Sequence, residues 1–75
     1  MTGSQIKSVM KEKMPNATCI KVFDYDKDHY VVLMMENERG QLLGLDKNTH
    51  NVTLFASGPD NMNKLYACKE IPMRQ

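Results

Sequence analysis

The hexapeptide DYDKDH (residues 24–29) sets carboxylates at alternate positions and ends on an imidazole. Alternating acidic residues open calcium-binding loops, where oxygen ligands at the first, third and fifth positions surround the ion. Such loops also need Gly at the sixth position for a sharp turn and a bidentate Glu at the twelfth. Here those positions are His29 and Met35, so the segment reads as a polar hairpin turn. A second polar stretch, residues 46–51, carries Asp46, Asn48, His50 and Asn51. If the segments between them are consecutive antiparallel strands, both turns fall at one end of the sheet. Strands two apart are separated by about 10 Å, whereas a metal ligand sits about 2 Å from its ion. A solvated Asp/His rim is expected, with small-ligand or metal binding there as an alternative function and no metal ligand assigned.

Nucleophilic chemistry has less support. Ser4, Ser8 and Ser57 lack a sequence neighbour that would activate them. No Walker loop, dinucleotide fingerprint, CxxC, HExxH or GxSxG occurs, and each of those spacings is what its chemistry requires. The sequence therefore predicts no catalytic residue, no cofactor and no enzyme. Cys19 and Cys68 are too few for a disulfide scaffold. Two reduced thiols, at least one of them buried, are expected, with a Cys19–Cys68 bridge as the alternative. Asn16-Ala17-Thr18 and Asn51-Val52-Thr53 match the glycosylation pattern and are read as chance matches.

Ten Lys and Arg against nine Asp and Glu leave a formal net charge of +1. Such balance gives little attraction to nucleic acid or an anionic membrane. Lys21, Phe23 and Tyr25 alternate basic and aromatic character along one segment, but without a basic surplus nucleic acid is not an expected partner. No run reaches the ~18 apolar residues of a membrane span, and the start has no apolar leader core. The expected compartment is the cytoplasm.

The elements that must position these residues follow from periodicity. At 75 residues the chain is a single domain, residues 1–75. Ile6, Val9, Met10 and Met14 recur at helical spacing after a Thr2/Gln5 capping box, and Pro15 and Asn16 end that helix. Residues 19–25, 30–35, 41–46 and 52–56 are rich in strand formers, with polar breaks between them. Ile20 and Val22 should share one face of the first strand, and Phe23 and Tyr25 the other. In the turn at residues 36–40, Gly40 is placed to take a left-handed conformation. Residues 57–72 combine a Pro59 helix start with Met62, Leu65 and Tyr66 at helical spacing; a short helix is preferred, a strand the alternative. The expected fold is α+β: an N-terminal helix packed on a four-stranded antiparallel meander, with a short C-terminal helix or strand.

The run Tyr30–Met35 is apolar at every position, whereas a strand wet on one face should alternate. Both faces must be covered. The first helix supplies one cover. The other comes from the C-terminal segment, a second copy of the chain, or a different protein. Phe23, Tyr30, Val32, Met34 and Met35 are therefore the candidate interaction face, and Met34–Met35 suits one because Met adapts to irregular surfaces. The favoured function is a non-enzymatic protein-binding module with an unidentified protein partner; a self-associating structural homodimer domain is the alternative. Small size and abundant Met suggest a regulator or inhibitor of bacterial or phage origin.

Leu45, Asp46, Asn48, Thr49 and Val52 resemble the strand-ending VDxxTGxV motif of PepSY-type domains, with His50 at the motif's Gly. The resemblance covers residues 4–55. It implies a helix packed on a small antiparallel sheet, and a binding or inhibitory role without catalysis.

Overall fold

The computed structural model describes residues 1–55 and 58–73. The chain begins with helix α1 (Gly3–Lys13), continues through β1 (Thr18–Asp24), β2 (His29–Glu36), β3 (Arg39–Asp46) and β4 (Val52–Leu54), and ends with helix α2 (Pro59–Tyr66) and β5 (Lys69–Ile71). The strand order is β4-β3-β2-β1-β5, and every pairing is antiparallel.

The capping box closes α1 as its sequence requires. The Gln5 N–H donates to Thr2 Oγ1 at 3.2 Å, and the Thr2 N–H donates to Gln5 Oε1 at 2.8 Å. Two of the otherwise unpaired first-turn donors are thereby satisfied. Ile6 and Met10 point into the core. They meet Cys19, Val22, Tyr30, Val32, Met34, Leu43 and Leu45 from the sheet. Gly3 opens the helix because the Pro72 carbonyl lies where its Cβ would stand.

Three expectations are corrected. The sheet has five strands, because the C-terminal segment forms a helix and then a strand, and that strand pairs with the free edge of β1. Ser57, part of the expected helix start, and Ala56, the expected end of the fourth strand, lie outside the described residues; Gly58 is the N-cap, with Pro59 following. Gly40 is not the left-handed residue. Glu36 pairs with Arg39, so the turn between β2 and β3 has two central residues, Asn37 (φ 51°) and Glu38 (φ 64°). Positive φ at both is the signature of a type I′ hairpin, whose twist matches that of its strands. Third, the β1–β2 register shifts between Cys19 and Lys21. Ile20 is the extra residue of a bulge and is exposed, so Cys19 rather than Ile20 shares the α1 face with Val22.

The opposite face belongs to α2. The Lys64 ammonium sits 4.6 Å from the Tyr25 ring centroid, and the Tyr25 hydroxyl donates to Asn61 Oδ1 at 3.5 Å. Of the α2 side chains, only Leu65 is buried. Among the described residues, no helix is long and apolar enough to cross a membrane.

Candidate functional site

The strand registers divide the candidate interaction face. Tyr30, Val32 and Met34 lie on the α1 side and are buried in the chain's own core. Phe23 pairs with Val31, and Met35 with Gly40, so both belong to the opposite face, where they are half-buried. Alternate residues of a strand face opposite sides, which makes the separation unavoidable once α1 takes the even positions of β2.

That opposite face is covered unevenly. Val31 is fully buried. Leu33 and Leu42 pair across β2 and β3 and are only half-buried. They line an open hollow of about 440 Å³ together with Gly40, Gln41, Leu54, Phe55 and Met62. None of these lining residues is charged. Leu54 at its border is 76% exposed. The sequence predicts a cover on both faces of β2 and one interaction face of Phe23, Tyr30, Val32, Met34 and Met35; the structure leaves Leu33 and Met35 half-buried and divides those five residues between two faces. The two-residue turn at Asn37–Glu38 carries the register, and with it the pairing of Leu33 with Leu42.

At the other end of the sheet the two polar turns do meet. The Lys47 N–H donates to the Asp28 carbonyl at 2.8 Å. In the first turn Asp26 Oδ1 accepts from the Asp28 N–H at 2.8 Å and the His29 N–H at 2.7 Å, and lies 3.2 Å from His29 Nδ1. Partial burial pushes the Asp26 carboxyl up, but the two amides and the imidazole outweigh it and hold it below the ordinary value. Asp46 Oδ1 accepts from the Thr49 N–H at 2.9 Å and the Asn48 N–H at 2.8 Å, and those bonds lower its carboxyl too. His50 completes this turn at φ 62°, a left-handed conformation in which His, like Asn and Asp, is enriched among non-Gly residues. Both acids thus hold turns together. Tyr25, Asp26, His29, Gly44, Thr53 and Phe55 enclose a second hollow of about 240 Å³, walled by the edge-to-face rings of Tyr25 and Phe55 at 5.1 Å. Among the described residues, no three His, Cys, Asp or Glu side chains group closely enough to hold a metal.

Ser4 and Ser8 share a third open hollow with His50, a proximity that sequence spacing does not reveal. Both cysteines are free. The Cys19 thiol donates to Met73 Sδ at 3.3 Å; burial pushes its pKa up, against a smaller opposing pull from Lys7. A raised thiol pKa leaves little thiolate for nucleophilic attack. Cys68 donates to the Lys64 carbonyl at 3.0 Å and the Tyr25 carbonyl at 3.6 Å.

No family model, no curated protein and no solved structure matches this chain.

Proposed function

We propose that the chain is a non-enzymatic protein-binding module, a small regulator or inhibitor, that docks an apolar surface of its partner in the hollow between β2, β3 and α2. One observation carries this: on one face of β2 Val31 is fully buried, while Leu33 and its β3 partner Leu42 stay half-buried. An uncharged concavity bordered by an exposed Leu has the composition of an interface centre, where charged residues are depleted. The PepSY-like motif of β3 and the turn after it supports the same class of role. The test compares capture from cell lysate by the tagged chain and by a Met62→Lys variant of unchanged melting temperature. Met62 suits this because it lies on the rim helix rather than in the core. A stoichiometric partner lost with the variant supports the reading; equal recovery with both chains removes it.

A second reading, small-ligand binding at the Asp/His end, is favoured by the hollow beside the Asp26–His29 pair. With Nδ1 turned to the carboxylate, His29 presents Nε2 outward. Acetate and methylamine, as minimal anionic and cationic probes, should then shift the NMR signals of His29 and Thr53 selectively. No shift with either probe ends that reading.

A further inference from the structure

The two edges of the sheet are treated differently. The β5 edge presents Lys69 and Glu70, both exposed, beside Ile71. The β4 edge is Val52-Thr53-Leu54 and carries no charge. An open edge strand is a template for another strand, and charged side chains are the usual guard against such pairing. Both edge strands are short, at three residues each, which itself limits pairing, and β5 adds charge where β4 has none.

Hydrogen bonding shows which backbone groups the β4 edge offers. The Asp46 N–H donates to the Asn51 carbonyl and the Phe55 N–H to the Leu42 carbonyl, each at 2.9 Å. In an antiparallel ladder alternate residues turn both groups toward the same neighbour. Asn51, Thr53 and Phe55 therefore face β3, and the N–H and C=O of Val52 and Leu54 point outward. Among the described residues, no backbone partner takes those outward groups.

We propose that β4 pairs antiparallel with β4 of a second copy, joining the two sheets across a two-fold axis at Thr53. Val52 then exchanges both backbone hydrogen bonds with the partner's Leu54, and Leu54 with the partner's Val52. Residues directly opposed in an antiparallel pair share a face, so the exposed Leu54 side chain is covered by the partner's Val52. Charge favours this occupant. A charged strand would find no counter-charge on this edge, whereas a second β4 brings none to neutralise. The net charge of +1 on each copy adds little repulsion between them. An isologous pairing of this kind closes on itself and stops at the dimer. The edge borders the hollow at Leu54, whereas Met62 lies in the hollow and off the edge. Met62→Lys therefore separates the two: it should leave the dimer intact while removing the protein partner.

Sedimentation equilibrium from micromolar to millimolar concentration, with amide hydrogen exchange on the same samples, tests the pairing. The mass should rise from the 8.6 kDa of one chain to twice that, and the Val52 and Leu54 amides should gain protection in step. Two variants separate pairing from folding. Leu54→Lys places a guarding charge on an exposed position. Leu54→Pro deletes an outward N–H that the β3 ladder does not use, as edge strands allow. Each should weaken dimerisation at least tenfold, with the thermal melt of the monomer retained. A single-chain mass at millimolar concentration overturns the proposal, as does a dimer that persists in both variants.

Discussion

Val31 and Leu33 stand two positions apart on one face of β2, yet Val31 is 0% exposed and Leu33 opens onto a hollow of about 440 Å³. Helix α2 spans eight residues, Leu65 is its one buried residue, and its Met62 lines the hollow without closing it. A helix of about two turns cannot cover a face presented by strands of eight residues. In this account, the uncovered half of the face is the functional half.

Substitutions at these two positions should therefore behave differently. Val31→Ala empties a packed site and should cost about 1–3 kcal/mol. Leu33→Ser should cost under about 1 kcal/mol, since its side chain is already partly in water, while abolishing partner binding. Urea denaturation measures both; equal destabilisation would mean the hollow is closed in solution.

Glu38 holds φ 64° without being Gly. Glu38→Gly should relieve that conformation and stabilise the hairpin by about 0.5–1 kcal/mol, giving the Asn-Gly pair that type I′ turns prefer. A lower melting temperature in this variant would contradict the turn assignment.

The Pro72 carbonyl beside Gly3 reverses the usual helix preference. Ala is favoured over Gly by about 1 kcal/mol inside a helix, so Gly3→Ala would ordinarily stabilise α1. Here it must push the C-terminal strand segment away, and the melting temperature should fall. A rise would mean that segment does not pack against the helix start.

Asp26 and Asp46 both have carboxyl pKa values lowered in the fold. Depressed folded values contribute stability above the unfolded pKa near 3.9, and that contribution disappears as pH falls through the folded values. The denaturation midpoint should be flat near neutrality and drop below about pH 4. Asp26→Asn with Asp46→Asn should flatten that acid limb. An unchanged limb would place the acid sensitivity elsewhere.

Local signals were legible and long-range ones were not. The Thr2/Gln5 box, the Ile6/Met10 stripe and the turns of the meander each depend on residues within a few positions, and the first helix and four consecutive strands follow from them. The meeting of the Asp28 and Lys47 turns was also legible, because antiparallel topology forces it. β5 was not: it has three residues, Lys69, Glu70 and Ile71, and exists through pairing with Val22, Phe23 and Asp24, far away in sequence. Ile20 carries no mark of its bulge, and Gly40 drew the turn assignment away from Asn37–Glu38. The hollow is lined by residues of β2, β3, β4 and α2 that are far apart in sequence, which no local pattern encodes. Alternation along β2 itself separates Met35 from Tyr30, Val32 and Met34; which of the two sets faces α1 is not encoded locally.

The most direct test of the docking face is photo-crosslinking in lysate. A photoreactive residue would replace Leu42 in the hollow or, as the control, Lys11 on the exposed side of α1. The account predicts one stoichiometric protein adduct from position 42 that is missing from position 11. Identical adducts from both positions, or none from position 42, would contradict it.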